Sequence, residues 1–217
     1  MIKAVILDFD GTMGDTRDII VKTMQQTICE LKLEARTDDE CAAMIGLPLK
    51  ETFTKLLPIS DEMGERCAET YGRLFSRNNR PGAVKLFPHV LETVNRLYEK
   101  GTLLTIASSR SRTTLLAFLE DMDLKDKIPY VVSADDIEHA KPAPDMVVKT
   151  LKDCSLQPKE TLVVGDTTFD IEMAHRAGVK GVGVTYGNGT LADMETVKAD
   201  YVISDFSQLM DIVEPST

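Results

Sequence analysis

The chain has 217 residues, of which 43% are hydrophobic and 28% charged, a balance typical of globular proteins. A chain of this length forms one or two domains and can bury a substantial core. Its net charge of −10 and its pI of about 4.8 disfavour binding to nucleic acid and to anionic membrane surfaces. Phosphate chemistry on such an acidic chain requires a cation held close to the site.

The cysteines and histidines show no metal-binding pattern. The four cysteines are scattered without a Cys-x-x-Cys pair, and they share no zinc-ligand spacing with the three histidines. Such thiols indicate a reducing compartment, and the early start of the first predicted strand argues against a signal peptide. No apolar run approaches the roughly 20 residues of a membrane helix. We therefore expect a cytoplasmic protein, a monomer by default, with a homodimer as the alternative.

The predicted elements begin with a buried strand at residues 2–8, IKAVILD, which is apolar and β-branched. Residues 17–80 are predicted to form helices, with a break in IGLPLK at 45–50. After residue 84, strands and helices alternate. The strands are predicted at 102–107, 130–133, 161–166, 181–185 and 200–204, and the helices at 89–99, 111–122, 145–154, 169–178 and 205–213.

This alternation predicts a parallel sheet wrapped by helices. The fold class is therefore α/β, with a Rossmann-like, doubly wound and mainly parallel sheet and an inserted all-helical domain. We place the sheet domain at residues 1–14 plus 82–217 and the helical domain at 15–81.

Acidic residues follow the predicted strands. Asp8 and Asp10 end the first strand, and residues two apart on a strand point the same way, so their carboxylates are expected to face one small volume. Asp166 ends the 161–166 strand and adds a third carboxylate. Carboxylates this close need a shared proton or a cation, and a set of oxygen ligands favours Mg²⁺. Asp170 is predicted to lie outside the metal ligands and to hold Lys141 or metal-bound waters, although an acid there also suits the helix dipole.

Other residues at the same strand ends suit a phosphate group. Gly11 permits a sharp turn with amide groups near an anion, and Thr12 adds a hydroxyl. Ser108 and Ser109 precede a predicted helix, where they bind a phosphate oxygen or simply cap the helix. Lys141 precedes a proline that fixes the direction of its stem, so it is expected to balance the carboxylates and to grip a phosphoryl oxygen.

Four segments together resemble the haloacid dehalogenase (HAD) superfamily, specifically its phosphoglycolate-phosphatase-like group with a helical cap. DFDGTMGDT at 8–16 resembles the first motif of that family, TIASSR at 105–110 the second, KPAPD at 141–145 the third and GDTTFD at 165–170 the fourth. All four occur in order, and the space between the first two fits a cap.

The resemblance implies a phosphohydrolase of small phosphorylated metabolites, such as phosphoglycolate-like compounds, sugar phosphates or nucleotides. Asp8 would be the nucleophile that takes the phosphoryl group, and Asp10 would protonate the leaving oxygen and later activate water. Ser108 and Lys141 would hold the phosphate. The carboxylates of Asp8 and Asp166 and the backbone carbonyl of Asp10 would bind Mg²⁺.

Three alternatives stay open. A phosphomutase related to β-phosphoglucomutase and a pyrophosphatase use the same scaffold. A receiver that switches a partner through a phosphorylated aspartate also places acids, a hydroxyl and a lysine at strand ends, but it is about 120 residues long and has no helical insert. In the helical domain, Lys50 is predicted to contact an anionic or polar substrate tail.

Overall fold

The computed structural model describes residues 1–80 and 82–214. The chain divides into two compact units, one made of Met1–Gly14 with Leu86–Thr217 and the other of Asp15–Lys85. We call them the sheet unit and the helical unit. In the described part of the chain, every helix is too short or too polar to cross a lipid bilayer.

A parallel sheet forms the centre of the sheet unit. The strands in chain order are β1 (Ala4–Leu7), β2 (Gly14–Asp15), β3 (Lys85–Leu86), β4 (Leu103–Ala107), β5 (Tyr130–Val132), β6 (Thr161–Gly165), β7 (Lys180–Val184) and β8 (Tyr201–Ile203). Six of them pair in the order β5-β4-β1-β6-β7-β8, with parallel registers throughout the described pairs. β2 and β3 pair with each other. The predicted α/β class is confirmed.

The strand order reverses at β1. The chain adds β4 and β5 on one side of β1 and then β6, β7 and β8 on the other. Leu7, the last residue of β1, is in register with Ile106 of β4 and Val164 of β6. Sites in doubly wound sheets form at the carboxyl ends of the strands beside such a reversal. The residues that follow β1, β4 and β6 therefore meet at one edge.

Helices surround the sheet and make up most of the helical unit. The helical unit contains α1 (Arg17–Glu30), α2 (Asp38–Ala42), α3 (Leu49–Leu56) and α4 (Asp61–Asn78), and the sheet unit contains α5 (Val90–Glu99), α6 (Arg112–Asp121), α7 (Asp145–Asp153), α8 (Thr168–Arg176), α9 (Leu191–Thr196) and α10 (Leu209–Val213). In the sheet unit, α5 packs on β4, α7 on β4 and β5, and α8 on β6 and β7.

Burial of β1 explains why its sequence is uniformly apolar. All four residues of the strand are inaccessible to solvent, because helices cover the sheet and neighbouring strands flank β1. Burial of Val5, Ile6 and Leu7 contributes about 1.5–3 kcal/mol for each side chain. Phe9, between the two acids, also turns inward and stacks on Phe118 of α6 with ring centroids 5.1 Å apart. The strand is thus anchored on both sides of Asp8.

The helical unit has its own apolar core. α4 packs against α1 and α3, and the rings of Phe53, Tyr71 and Phe75 form a row with centroid separations of 6.3 and 5.7 Å. Two of its helices begin with a side-chain cap: the Thr37 hydroxyl accepts from the amide of Glu40 at the start of α2, and the Ser60 hydroxyl accepts from that of Met63 at the start of α4.

Strands β2 and β3 and helix α9 are absent from the sequence prediction. The short strands β2 and β3 have only two residues each, too few to show a pattern. Helix α9 begins with a capping box, in which the Thr190 hydroxyl accepts from the Asp193 amide and the Asp193 carboxylate accepts from Thr190. This Thr-x-x-Asp spacing is a signal that could have predicted the helix.

Candidate active site

Asp8 lies at the carboxyl end of β1 and is paired with a buried lysine. Its backbone amide donates to the carbonyl of Val164 at 2.9 Å, which continues the β1–β6 ladder by one residue. Lys141 Nζ donates to Asp8 Oδ1 at 2.6 Å and to Asp170 Oδ1 at 2.7 Å. The lysine side chain is only 1% exposed. One ammonium therefore bridges two carboxylates that come from different elements of the sheet unit.

Asp170 is held from both sides at the start of α8. Its Oδ2 accepts from the backbone amide of Thr167 at 3.1 Å and from the Thr167 hydroxyl at 2.7 Å, while Oδ1 accepts from Lys141. The helix-terminus and lysine-binding interpretations of Asp170 are thus compatible. Gly165 makes the packing tight, because a Cβ there would lie 2.2 Å from Asp170 Cβ.

Asp166 follows β6 and receives neutral donors. Its Oδ2 accepts from the backbone amide of Asn188 at 2.7 Å and from Asn188 Nδ2 at 2.8 Å. The hydroxyl of Thr12 donates to Oδ1 over a longer distance of 3.4 Å. Asp166 is completely buried, and these contacts come from the turn after β1 and the loop after β7.

The three carboxylates form a buried group suited to a metal ion. Among the described residues, Asp8, Asp166 and Asp170 each offer an oxygen that lies within 4.8 Å of the others. One lysine opposes their combined charge, which leaves an excess of negative charge in a place with little solvent. An all-oxygen donor set with this excess fits a hard divalent cation such as Mg²⁺.

Burial shifts the protonation of these acids. Burial raises the pKa of Asp166 to about 7, with repulsion from Asp170 adding to the rise and the Asn188 donors opposing it. Burial also raises the pKa of Asp8 well above its usual range, while Lys141 opposes that rise. For Lys141, burial would lower the pKa, but the carboxylates of Asp170 and Asp8 more than offset this and raise it. Burial therefore shifts Asp8 and Asp166 toward their neutral form, while Lys141 keeps its charge.

Asp10 has a cation of its own. Arg110 donates from Nε at 2.9 Å and from a terminal nitrogen at 2.7 Å, both to Asp10 Oδ1. The guanidinium carbon also lies 4.9 Å from the ring centroid of Phe118, the residue on which Phe9 stacks. The Asp10 carboxylate is absent from the described group of oxygens that could share an ion. Its backbone carbonyl as a metal ligand stays a prediction.

Ser108 and Ser109 follow β4, the strand that pairs with β1. The Ser108 amide donates to the carbonyl of Val132 at 3.0 Å, and its hydroxyl oxygen lies 3.3 Å from the amide nitrogen of Arg110. The residue at the N-cap position of α6 is Ser111, so neither predicted serine occupies the capping position. Their phosphate-binding role stays a prediction.

Gly11 is required by its surroundings. It has a φ of +83°, and a Cβ on it would lie 2.0 Å from Asp166 Oδ2. Its own amide donates to the carbonyl of Gly14 at 2.9 Å, within the turn that follows β1. Gly11 thus allows the turn to approach Asp166 closely, and its contact with a phosphate stays a prediction, as does that of Thr12.

Lys50 lies in the helical unit, at the start of α3. Its ammonium is 3.1 Å from Asp61 Oδ2 and 3.0 Å from Glu65 Oε1. These partners belong to α4, and they occupy the ammonium within the helical unit itself. The predicted contact of Lys50 with substrate stays a prediction.

Arg110 and Asn188 are the residues that the sequence analysis missed. Arg110 is separated from its partner Asp10 by 100 residues, but its place directly after the two serines of a strand end was a usable signal. Asn188 lies between two glycines after β7, and a Gly-Asn-Gly turn at the carboxyl end of a strand beside the reversal was another.

Comparison with known proteins adds to this geometry. A family model of haloacid dehalogenase-like hydrolases matches residues 5–184. Pyrophosphatase PpaX of Anoxybacillus flavithermus is 32% identical over 212 residues, covering 98% of this chain and 97% of that protein. The probable phosphatase IndB of Dickeya dadantii is 32% identical over 209 residues, covering 95% and 91%. A solved structure described as a haloacid dehalogenase-like hydrolase from Bacteroides fragilis has a TM-score of 0.91 at 28% identity and covers 96% of this chain and 100% of that one.

Proposed function

Since the chain belongs to the haloacid dehalogenase-like hydrolase family, we propose that it is a Mg²⁺-dependent phosphohydrolase that removes phosphate from a small phosphorylated metabolite. Phosphoryl transfer needs positioning and charge neutralisation more than elaborate covalent chemistry. The observation that carries the proposal is the buried group of Asp8, Asp166 and Asp170 with Lys141 bound into it.

The three acids differ in the hydrogen-bond donors that they already have, and this difference supports different roles for them. Both oxygens of Asp170 accept hydrogen bonds, one from Lys141 and the other twice from Thr167. Asp166 has two close donors on Oδ2 and only the 3.4 Å hydroxyl contact on Oδ1. We assign Asp166 to the metal together with Asp8 and the Asp10 carbonyl, and Asp170 to orienting Lys141.

In the first step, an Asp8 carboxylate oxygen attacks the phosphorus and the bond to the leaving oxygen breaks. Asp10 donates its proton to that leaving oxygen, so the product leaves as a neutral hydroxyl where it is an alcohol. The result is an aspartyl-phosphate on Asp8. Lys141, already bound to Asp8, balances the negative charge that develops on the phosphoryl oxygens.

In the second step, water attacks the phosphorus of the aspartyl-phosphate. Asp10 accepts a proton from this water, the acyl-phosphate bond breaks, and Asp8 and inorganic phosphate are released. Ser108, which follows the neighbouring strand β4, would hold a phosphoryl oxygen. When bound, Mg²⁺ would offset the charge shared by Asp8, Asp166 and the phosphate.

Replacing Asp8 with Asn tests the nucleophile. The two side chains have almost the same shape, so the fold is expected to survive while phosphomonoester hydrolysis falls below detection. Circular dichroism and a melting curve would check the fold, and rapid acid quenching with ³²P-labelled substrate would detect the phosphoenzyme in the wild type. Near-normal turnover by Asp8→Asn would refute the assignment.

Pyrophosphate is a second candidate substrate, favoured by the PpaX relatives at about one-third identity over nearly the whole chain. A panel of pyrophosphate, phosphoglycolate, sugar phosphates and nucleotides, each with Mg²⁺ and with chelator, would separate the candidates. Isomerisation of a sugar phosphate in the presence of a bisphosphate would indicate a mutase instead. A stable phosphoenzyme without turnover would indicate a receiver-like switch.

A further inference from the structure

The loop after β7 packs directly against the proposed metal site. We call residues 187–189, Gly-Asn-Gly, the bracket loop. A Cβ on Gly187 would lie 2.2 Å from the carbonyl oxygen of Gly11 and 2.6 Å from Asp166 Cβ. A Cβ on Gly189 would lie 2.0 Å from the backbone oxygen of Asp166. Only residues without a side chain allow the loop backbone this close to Asp166.

Between these glycines, Asn188 places two donors on one oxygen. Its backbone amide and its Nδ2 lie 2.7 and 2.8 Å from Asp166 Oδ2. The two contacts approach the carboxylate from one residue, so they fix the direction of the carboxylate plane more firmly than a single bond would. All three residues of the bracket loop therefore lie against Asp166.

We propose that Asn188 is a positioning residue that orients Asp166 for Mg²⁺ and thereby sets the affinity of the enzyme for the ion. The inference rests on the proposed function, because it gives the Asp166 carboxylate the role of metal ligand. Replacing a residue that orients a metal ligand typically weakens metal binding by roughly 10- to 100-fold. Asn188 does not touch substrate in this proposal.

The unpaired atom of Asn188 supports this role. Its Oδ1 is buried and has no hydrogen-bond donor among the described residues. Exchanging the positions of Oδ1 and Nδ2 would not give Oδ1 a hydrogen-bond donor, because Oδ1 would then face the Asp166 carboxylate. A buried amide oxygen without a donor costs free energy that an alanine would not incur. What compensates for it here is the bond from Nδ2 to Asp166.

The charge of the donors matters as well. Asp8 and Asp170 share the ammonium of Lys141, which cancels part of their charge. The close donors on Asp166 are two neutral N–H groups from Asn188. Neutral donors fix the direction of a carboxylate while leaving its net charge available to a cation. A lysine at position 188 would compete with the ion, whereas asparagine does not.

Titration calorimetry of the full chain with MgCl₂ at neutral pH would test the proposal. We expect Asn188→Ala to weaken Mg²⁺ binding about 10- to 100-fold. Asn188→Leu, which keeps a similar side-chain shape but has no N–H to donate to Asp166, should weaken it similarly. In kinetics, the Mg²⁺ concentration for half-maximal activity should rise by the same factor, while kcat at saturating Mg²⁺ and KM for the substrate stay within about twofold of wild type.

Asn95→Ala is the matched control. Asn95 on α5 belongs to the same unit and also has a buried Oδ1 without a donor among the described residues. Its side chain has no described hydrogen bond to Asp8, Asp166 or Asp170, so its replacement should leave Mg²⁺ affinity unchanged. Melting curves in chelator would show whether each variant folds. Equal Mg²⁺ affinity in wild type and in both folded Asn188 variants would overturn the inference and leave the proposed function standing. No Mg²⁺ binding by the wild type would overturn both.

Discussion

Removing Mg²⁺ should destabilise this protein more at alkaline pH than at acidic pH. The folded-state pKa of Asp166 is about 7, against 3.8 for an ordinary aspartate, mainly because the group is buried. The folded chain therefore binds this proton more tightly than the unfolded chain does. The resulting stabilisation is fully present below 3.8 and is lost as the pH rises through 7.

The size of the effect follows from the two pKa values. Between about pH 5.5 and about pH 8, ionisation of Asp166 alone costs the metal-free protein about 2 kcal/mol. For a chain of this length, that corresponds to a fall of about 4–8 °C in melting temperature. With Mg²⁺ at a hundredfold excess over its dissociation constant, binding of the ion raises the free energy of unfolding by about 2.7 kcal/mol at the alkaline pH. At the acidic pH the gain is smaller, because the proton competes with the ion.

Differential scanning fluorimetry at both pH values, with MgCl₂ and with chelator, would measure the four melting temperatures. Asp166→Asn supplies the control, since an amide oxygen can still accept from Asn188 but the ionisable group is gone. In chelator at about pH 8, this variant should melt above the wild type, and it should show no response to Mg²⁺. The reasoning would be refuted if the metal-free wild type melted at a higher temperature at about pH 8 than at about pH 5.5. It would also be refuted if Asp166→Asn melted below the wild type in chelator at about pH 8.

Three further substitutions test other parts of the site. Lys141→Met should destabilise the metal-free protein by about 3–5 kcal/mol in urea unfolding and abolish turnover, because two buried carboxylates lose their shared cation; an unchanged unfolding midpoint would contradict this. Gly11→Ala should cost at least about 2 kcal/mol and abolish Mg²⁺ binding in calorimetry, since its methyl would lie 2.0 Å from Asp166 Oδ2 at a positive φ. Arg110→Ala should lower kcat roughly 10- to 100-fold by releasing Asp10, with Mg²⁺ affinity unchanged and partial recovery in Arg110→Lys.

The parallel sheet was predictable because its signals are local. Apolar β-branched runs of four or five residues, separated by amphipathic helices, specify both the strands and their parallel arrangement. Asp8, Ser108 and Asp166 could then be assigned to one edge, because in this topology β1, β4 and β6 are neighbours in register. Knowing that these strands end together was enough to place the three residues near one another.

The partners of Asp10 and Asp166 lay beyond that reasoning. Alternation along a strand predicts which face a carboxylate takes, but Asp10 stands past the end of β1, in a turn where alternation no longer applies. Its direction is decided by Arg110, which is 100 residues away. Asn188 reaches Asp166 through a loop whose path depends on two close backbone approaches at its glycines. Such contacts depend on tertiary packing, which periodicity does not encode.

The two acids that follow β1 differ in the cation that opposes their charge, and this difference suits their proposed roles. Burial raises the pKa of Asp8, and the Lys141 ammonium, which also binds Asp170, opposes that rise and so favours the carboxylate form that a nucleophile requires. Arg110 gives both of its described donors to a single oxygen of Asp10, and that carboxylate is partly exposed. An acid that must give a proton to one molecule and take it from the next needs this access to solvent and to the leaving group. Phe9, the residue next to Asp8, stacks on Phe118, and the Arg110 guanidinium lies over the same ring. The ring of Phe118 therefore helps to bury Phe9 and also to position the cation that binds Asp10.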